Sequence, residues 1–401
     1  MTEAVIVAAG RSAIGRATKG SLREVRPDDL AADIVRRVYD SVPALAEAQV
    51  EDLILGCGQP AGESGYNLAR VVAVLAGLTG VPGLTINRFC ASSLQAIRMA
   101  AHAIRVGEGD AYIAAGVEAV SRYPFGSANT GAHNPVFAEA EERSLERRKP
   151  GRPMWTAPEG LPDIYISMGE TAENVADIEG VTRAEMDEFA ALSQQRAVAA
   201  QESGFFGREI LPYQLPDGTW FGKDDGPRPG TTVEKLAALK PVFREDGRVT
   251  AGNACPLNDG AAAVVLMSDQ RAAELGVRPL ARVVSTAVTA LEPEIMGLGP
   301  VEACRLALKR AGLGIGDIDL VEINEAFAAQ VIPSARHLGI GWDKLNVHGG
   351  GIALGHPYGM TGARIATTLL NGLTEADGTF GLESMCVGGG QGMAMVVERL
   401  A

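Results

Sequence analysis

Short apolar runs alternate along the chain with stretches in which apolar residues recur at helical spacing. Four of these runs are EDLILGCG at 51–58, DAYIAAGVEAV at 110–120, ARVVSTAVTA at 281–290 and DIDLVEINEAF at 317–327. Runs of this length predict β-strands, and strands that are apolar throughout predict a sheet covered on both faces. Because helical patterns lie between the strands, the chain is predicted to have an α/β fold.

The order of these elements is weakly repeated in the two halves of the chain. Each half contains a strand that ends in a turn, a strand followed by a turn with a reactive side chain and a helix, and a further apolar strand. Two similar halves that face each other would bring equivalent strand ends to one shared site. The matching segments are LILGCGQ (53–59) with LVEINEA (320–326), LTINRFCASSLQAIRMAAHAI (84–104) with LNVHGGGIALGHPYGMTGARIATTLL (345–370), and AYIAAGVEAVS (111–121) with FGLESMCVGGGQGMAMVVE (380–398).

A segment of different composition, rich in Pro, Trp, Phe and charged residues, separates the halves. It includes a helical stretch, TRAEMDEFAALSQQRAVAAQ, at 182–201. Because loops above a rigid core commonly carry ligand recognition, we predict that this insert binds substrate. The predicted divisions are an N-terminal half at 1–121 completed by 250–270, an inserted loop domain at 122–249 and a C-terminal half at 271–401.

Composition and charge narrow the class of protein. With 401 residues, 46% of them hydrophobic and 21% charged, the chain is predicted to be globular and to form more than one packed unit. Its net charge of -13 argues against a nucleic-acid or anionic-membrane surface, which needs clustered Lys and Arg. The start, MTEAVIVAAGRSAIG, has no basic region followed by a long apolar run, and no later segment approaches the length of a membrane span. We therefore expect a cytoplasmic protein.

The five cysteines are too few and too scattered for a disulfide framework, and no CxxC pair suggests structural zinc. Cys90 differs from the others because it follows the strand-like LTIN and precedes a helical pattern. The positive end of a helix and its free N–H groups favour a thiolate, so Cys90 is a candidate nucleophile. On these residues alone, a buried structural cysteine stays an open alternative.

Three further segments carry candidate chemistry. His356, in GGGIALGHPYGMTGAR, combines a glycine-rich turn, a following Pro and the start of a helix, which suits a fixed imidazole acting as a base. Cys386 ends an apolar strand before three glycines whose N–H groups can hold an oxyanion, although such a pattern also marks a tight turn. Asn324, in EINEAFAAQ, can hold a water or a carbonyl oxygen, with helix capping as the alternative. Together these residues suit acyl transfer through a thioester.

The motifs NRFCASSLQAI, NEAFAAQ, GHPYGMTGAR and CVGGGQGMA, in this order, closely resemble the thiolase family. The resemblance implies a five-layer αβαβα fold of two similar halves with an inserted loop domain. It also implies the activity of an acetyl-CoA C-acyltransferase, which cleaves a 3-ketoacyl-CoA with CoA to acetyl-CoA and a shortened acyl-CoA, or runs the reverse Claisen condensation, in fatty-acid or related acyl-CoA metabolism. Acyl-CoA substrates, no metal or redox cofactor, and a homodimer or homotetramer are expected by the same resemblance.

The resemblance implies a role for each residue of the site. Cys90 takes the acyl group, and His356 deprotonates it. His356 and a water held by Asn324 bind the thioester oxygen of the substrate whose α-carbon reacts. Cys386 moves a proton to or from that carbon or the CoA thiol. The N–H groups of Cys90 and Gly388 form a second oxyanion hole.

Other positions match family contacts to CoA and substrate. Arg228 matches a position near the adenine and phosphates of CoA, and Met168 matches one that lines the pantetheine channel. Ala251, Ala326 and Phe327 match positions that border the substrate.

Departures from the family pattern loosen the choice of substrate. Cys255 stands where many thiolases have a serine that contacts the pantetheine amide, Ser167 stands where short-chain synthetic relatives often have histidine, and Ala-Ser-Ser follows Cys90. These differences favour a degradative enzyme with a broader 3-ketoacyl-CoA range. Two alternatives are a decarboxylating ketoacyl synthase, which typically needs a second histidine where this chain has Asn324, and a thiolase-like protein that binds acyl-CoA without turnover.

Overall fold

The computed structural model describes residues 2–46, 49–123 and 131–401. Residues 124–130 of the predicted insert therefore lie outside the described residues. The strands are β1 (Ala4–Arg11), β2 (Gly15–Arg16), β3 (Asp52–Gly56), β4 (Gly83–Ile86), β5 (Ala111–Ala119), β6 (Tyr213–Gln214), β7 (Trp220–Phe221), β8 (Asn258–Ser268), β9 (Ala281–Ala290), β10 (Leu320–Ile323), β11 (Phe380–Val387) and β12 (Gln391–Arg399). The α-helices are α1 (Pro27–Asp40), α2 (Leu68–Leu75), α3 (Ser92–Val106), α4 (Ala138–Glu146), α5 (Met168–Ile178), α6 (Arg183–Glu202), α7 (Val233–Ala237), α8 (Asp269–Glu274), α9 (Gly299–Ala311), α10 (Ala328–Leu338), α11 (Gly351–Leu354) and α12 (Thr361–Glu375).

Each half of the chain builds a sheet with the same strand order. In the N-terminal half the order is β1-β8-β5-β3-β4, and in the C-terminal half it is β9-β12-β11-β10. In the N-terminal half, β4 pairs with β3. At the equivalent place in the C-terminal half, a single β-bridge joins Val321 to Leu345. The two sheets join where β1 pairs with β9. The repeat predicted from the sequence is thus confirmed at the level of strand order.

Helices cover both faces of both sheets. Helices α3 and α12 lie between the sheets and share one core with them, while α1 and α2 pack on the outer face of the N-terminal sheet and α9 and α10 on that of the C-terminal sheet. This arrangement explains why all nine residues of β5 are buried. The layers follow the order α-β-α-β-α, so the predicted fold class is confirmed.

Glycines allow the central layer to pack closely. A Cβ on Gly362 of α12 would lie 2.3 Å from the backbone nitrogen of Leu94 on α3, and a Cβ on Gly116 would lie 2.0 Å from the carbonyl oxygen of Gly359. Any larger residue at these positions would force the elements apart. The close approach brings the turn before α12 against the segment that carries Cys90.

In the middle of the chain, α5 and α6 pack on the C-terminal half, whereas Phe221 of β7 packs on the core of the N-terminal half. Helix α6 begins with a capping box in which Thr182 and Glu185 each bond the other's backbone N–H, and its bounds nearly match the predicted 182–201. Apolar residues of α5 and α6 share a core with α10. None of the helices in the described part of the chain is both long and apolar enough to cross a lipid bilayer.

Candidate active site

Cys90 lies in a 3₁₀ turn, Phe89–Ala91, directly before α3. Phe89 has a positive φ of 43°, a conformation that non-glycine residues rarely adopt, and it turns the chain so that the thiol faces inward. Burial raises the pKa of Cys90 to about 12, although N–H groups of Gly388 and of Cys90 itself oppose this rise. The helix end therefore does not suffice to form a thiolate, and Cys90 needs a base to become a nucleophile.

His356 is buried and held through both ring nitrogens. Its Nδ1 lies 2.6 Å from the Thr361 hydroxyl, which itself donates to the carbonyl oxygen of Pro357 at 2.8 Å. Thr361 must therefore accept from Nδ1–H, which leaves the lone pair on Nε2. Burial, and then the positive charge of Arg364, lower the pKa of His356 to about 3. The imidazole is thus neutral at physiological pH and presents Nε2 as a proton acceptor.

Asn324 lies beside that acceptor. Its side-chain nitrogen is 3.3 Å from His356 Nε2, and its backbone is held at both ends, since its N–H donates to the Ser384 carbonyl and its carbonyl accepts from Gln330. The Asn324 side-chain oxygen is buried and has no hydrogen-bond partner among the described residues. Helix capping is excluded as its role, because α10 starts at Ala328 with Phe327 at the N-cap. An unpaired amide oxygen beside an imidazole suits the binding of a water or substrate group.

Cys386 is the penultimate residue of β11 and lies near Cys90. Burial raises its pKa well above the ordinary value, and the nearby thiols of Cys90 and Cys255 raise it further. Burial, and then the nearby thiols, also raise the pKa of Cys255 and of Tyr358, whose ring packs edge-on against that of His356. The structure therefore gathers three thiols and the histidine around one point.

Gly388 follows in the turn between β11 and β12, where Gly389 and Gly390 have φ values of 75° and 77°. Its N–H faces Cys90 Sγ, and its carbonyl accepts from the Gln391 side chain at 3.2 Å. Gln391 is in turn held by Arg88 at 2.7 Å. The turn is therefore fixed with an N–H directed at the thiol, where it can donate to an oxyanion that forms beside Cys90.

A cavity of about 650 Å³ leads from Cys255 to the surface at Arg228. Ala251 lies on its wall, so three of the predicted contact residues border one space. Arg16 and Lys235 also line it, and neither was found from the sequence. Three cationic side chains around one cavity suit a ligand that carries several phosphates.

The remaining predicted contacts adjoin this cavity to different degrees. The N–H of Cys255 donates to the Ala326 carbonyl at 3.0 Å, and Phe327 bridges to the residue before Cys255. Met168, at the start of α5, packs on the same apolar core as Phe327 but does not line the cavity. The structure thus places Ala326 and Phe327 beside Cys255 and the residue before it, and Met168 against the apolar core that includes Phe327.

Two buried polar residues that hold the site in place were missed by the sequence reasoning. Glu118 accepts hydrogen bonds from the N–H groups of Gly58, Gln59 and Gly359 and from the Tyr123 hydroxyl. It therefore ties the ends of β3 and β5 to the turn before α12. A carboxylate inside an otherwise apolar strand is the signal that could have identified it.

Asn258, at the start of β8, is the second such residue. Its side-chain oxygen accepts the N–H of His356 at 3.0 Å, and its side-chain nitrogen donates to the Gly15 carbonyl at 3.0 Å. Asn258 thus fixes the backbone that carries the imidazole. A polar side chain that opens an apolar strand was its signal in the sequence.

Family profiles match both halves of the chain. Residues 4–270 match the thiolase N-terminal domain, and residues 277–399 match the thiolase C-terminal domain. The chain belongs to the thiolase family. It is accordingly an acyltransferase with thiolase chemistry, as the resemblance implied.

Curated relatives and solved structures agree with this assignment over the full length. The chain is 46% identical to an acetyl-CoA acetyltransferase of Pseudomonas aeruginosa, with 100% of both proteins covered, and 43% identical to a 3-ketoacyl-CoA thiolase of Bacillus subtilis, with 99% of this chain and 100% of the relative covered. It is also 45% identical to a beta-ketoadipyl-CoA thiolase of Escherichia coli over 100% of both. Among solved structures, the dimeric peroxisomal thiolase of Saccharomyces cerevisiae is similar with a TM-score of 0.89 and 36% identity, over 99% of this chain and 97% of that one.

Proposed function

We propose that this thiolase cleaves 3-ketoacyl-CoA with CoA to acetyl-CoA and a shortened acyl-CoA, through an acyl group carried on Cys90. The observation that carries the proposal is the proximity of Cys90 and Cys386 to Cys255, which lines a cavity with three cationic side chains, together with the contact between Asn324 and His356. A nucleophile, its base and a separate proton carrier are the parts that a two-step acyl transfer needs.

In the first half-reaction, His356 Nε2 takes the proton of Cys90, and the thiolate attacks the 3-keto carbon. The bond between C2 and C3 breaks, and its electron pair moves to C2. The resulting enolate of acetyl-CoA has its thioester oxygen bound by His356 and by a water held by Asn324. Cys386 gives its proton to C2, so acetyl-CoA leaves and the acyl group stays on Cys90.

In the second half-reaction, CoA takes the place of acetyl-CoA, and the Cys386 thiolate removes the proton of the CoA thiol. The CoA sulfur attacks the acyl carbon, whose developing oxyanion is bound by the N–H groups of Cys90 and Gly388. The bond to Cys90 Sγ breaks, the thiolate regains its proton from His356, and the shortened acyl-CoA departs. Run backwards, the same steps form a 3-ketoacyl-CoA from two acyl-CoA units.

The cavity is proposed to hold CoA. Arg228 and the neighbouring Arg16 and Lys235 would bind its phosphates, and Ala251 would border the pantetheine arm that leads to Cys255. A thiol at Cys255 is a weaker hydrogen-bonding group than a hydroxyl, so the contact to the pantetheine amide is expected to be weak. Ala326 and Phe327 adjoin the reacting end, where the acyl chain begins.

We further propose a degradative role with a broad 3-ketoacyl-CoA range, in the cytoplasm, as a homodimer or homotetramer. The names of the relatives span 3-ketoacyl-CoA and beta-ketoadipyl-CoA substrates, and one structural neighbour is dimeric. All five cysteines are free thiols, which suits a reducing compartment. The steps are nucleophilic and acid–base steps, so we propose neither a metal nor a redox cofactor. Thiolysis rates over a series of 3-ketoacyl-CoA chain lengths, with 3-ketoadipyl-CoA included, test the range.

Covalent catalysis predicts an acetyl adduct on the peptide that contains Cys90. After incubation with acetyl-CoA and an acid quench, mass spectrometry should find one acetyl group on this peptide, because the thioester survives at low pH. Cys90→Ala should lose the adduct, while Cys304→Ala, at a buried thiol of α9, should keep it. An adduct that persists in Cys90→Ala, or cleavage that proceeds without one, would contradict the proposal. Condensation that requires malonyl-CoA, with no CoA-dependent cleavage, would instead favour a decarboxylating synthase.

A further inference from the structure

Two carboxyl groups and a guanidinium are buried behind His356 in the central helix layer. Glu322 on β10 and Glu383 on β11 are direct neighbours across the parallel strand pair, and Arg364 projects from α12. Each of the three is at most 4% exposed. None of the three guanidinium nitrogens of Arg364, and neither carboxyl oxygen of Glu383, has a hydrogen-bond partner within the described residues.

Arg364 differs in this respect from Arg11, the other fully buried arginine of the same layer. Arg11 forms ion pairs with Glu209 at 2.7 Å and with Asp224 at 2.8 Å. Arg364 forms none within the described part of the chain, although arginine stays protonated in proteins. Direct contact therefore neutralises the charge of Arg11 but not the charge of Arg364.

The two carboxyl groups near Arg364 form no direct hydrogen bond with it within the described residues. Side chains at paired positions of adjacent strands are about 5 Å apart, so two ionised carboxylates would repel each other strongly in a buried layer. Burial raises the pKa of Glu322 to about 8 and that of Glu383 well above its ordinary range, even with Arg364 nearby. Both shifts favour the protonated carboxyls, and no hydrogen bond joins either carboxyl to Arg364 within the described residues, so the positive charge of Arg364 acts on its surroundings.

His356 lies within reach of that charge. Thr361, the first residue of α12, accepts the hydrogen bond from His356 Nδ1, and Arg364 follows three residues later, one turn along the same helix face. After burial, Arg364 is the group that lowers the pKa of His356. The other ionisable groups that face this pair are Glu322 from β10, Glu383 from β11, Arg11 from β1, Glu209 after α6 and Tyr358 beside the imidazole.

We propose that Arg364 is a positioning residue that keeps the resting Cys90–His356 pair neutral, with the proton on Cys90 Sγ. Transfer of that proton to Nε2 creates an imidazolium beside a fixed positive charge, so the transfer is costly until substrate is bound. When Cys90 attacks acyl-CoA, the C–S bond of the thioester breaks, the electron pair goes to the CoA sulfur, and Cys386 gives its proton to that sulfur. Because Arg364 makes the imidazolium a strong acid, His356 readily returns the other proton to Cys90 Sγ when the acyl group leaves. This inference rests on the proposed role of His356 as the base for Cys90.

Alkylation of Cys90 by iodoacetamide tests the inference, because a purely structural role predicts the opposite sign. Arg364→Met removes the charge, stabilises the thiolate–imidazolium pair and should alkylate Cys90 about three- to tenfold faster than the parent at pH 7, which corresponds to roughly half to one pKa unit. Its turnover with acetyl-CoA should fall. Equal or slower alkylation in a variant that keeps the parental circular dichroism spectrum would overturn the proposal.

Further variants keep the test decisive if Arg364→Met does not fold. Glu383→Gln should alkylate at the parental rate, because the carboxyl it replaces is neutral; slower alkylation would mean that Glu383 is ionised and already balances Arg364, and would overturn the proposal. Arg364→Lys should restore the parental rate. Arg305→Met, on the exposed face of α9, is the matched control and should change nothing.

His356→Gln separates this inference from the proposed function. Without the base, alkylation of Cys90 should slow well below the parental rate. If His356→Gln instead alkylates like the parent, His356 is not the base, and both proposals fail. If His356→Gln slows the reaction and Arg364→Met leaves it unchanged, only the role of Arg364 fails.

Discussion

At the residue scale, the site consists of thiols that burial makes poor acids. The pKa of Cys90 rises to about 12 and that of Cys386 rises well above its ordinary value. Each thiol therefore ionises only when a neighbouring side chain or a substrate atom takes its proton. The surroundings of the two thiols differ, since the N–H groups of Gly388 and Cys90 face Cys90 Sγ and stabilise its anion. That difference supports separate roles for the two cysteines.

Cys386→Ala should separate the two half-reactions. The variant keeps Cys90, His356 and the oxyanion hole, so acetylation by acetyl-CoA should continue within about tenfold of the parental rate. Formation and cleavage of the carbon–carbon bond should fall by about a thousandfold or more, because the proton transfer at C2 loses its group. Burst release of CoA measures the first step, and acetoacetyl-CoA formation measures the second. Equal losses in both steps would contradict separate roles.

Short motifs were enough to single out Cys90, His356, Cys386 and Asn324, because each stands near a strand end or a helix start, and glycines adjoin His356 and follow Cys386. Other residues of the site depend on contacts between distant parts of the chain. The carboxylate of Glu118 bonds a backbone N–H 241 positions away, and Asn258 bonds one 98 positions away. No local spacing indicates such partners. The shift in the pKa of His356 was missed for the same reason, since it depends on burial and on Arg364.

At the element scale, the site depends on how closely α3 and α12 approach. These helices carry Cys90 and Thr361 at their N-terminal ends, and both ends face the same point. The helical pattern that the sequence shows after Cys90 is observed as α3, in which Leu94 and Ile97 follow helical spacing and are fully buried. The sequence did not predict that Gly362 of α12 would lie against the backbone of α3. A glycine inside a helical pattern does not indicate which other element packs against it.

Gly362→Ala should therefore damage the site although alanine favours helices. The added Cβ would lie 2.3 Å from the backbone nitrogen of Leu94, so the helices must move apart. Overpacking of this kind should lower the free energy of unfolding by roughly 1–3 kcal/mol, more than the gain of about 1 kcal/mol in helix propensity, and should slow Cys90 acetylation. Urea denaturation and the acetyl-adduct assay measure the two effects.

Gly316→Ala is the matched control for this substitution, because a Cβ at Gly316 meets no atom within 4 Å. It should leave both stability and acetylation close to the parent. If Gly362→Ala behaved like Gly316→Ala, the close approach of α3 and α12 would not be what positions the site.

At the scale of the whole molecule, the repeat of strand order brings equivalent strand ends together across a shared helix layer. The similarity between the two halves in sequence was enough to predict that these strand ends meet. The apolar runs occur in the same order in both halves although the individual residues differ. The width of the acyl site was not predictable, since it depends on how the inserted helices pack on the C-terminal half. The polar groups inside the central layer were also hidden, because Glu322 and Glu383 each belong to a strand whose other residues are mostly apolar.

The buried carboxyl of Glu322 should make the stability of the molecule depend on pH. Its pKa rises from 4.5 to about 8 in the folded protein, mainly through burial, so the folded chain binds one more proton than the unfolded chain between those pH values. The contribution of this group to the free energy of unfolding is therefore fully present below pH 4.5 and is lost as the pH rises toward 8. Glu322→Gln cannot ionise, so its free energy of unfolding should rise relative to the parent by up to about 1.4 kcal/mol per pH unit across that window. Urea denaturation of both proteins at several pH values, with the exposed Glu302→Gln as a control, measures the difference. Parallel stability curves for the parent and Glu322→Gln would mean that Glu322 is already ionised in the folded state. Its negative charge would then offset the positive charge of Arg364 behind His356.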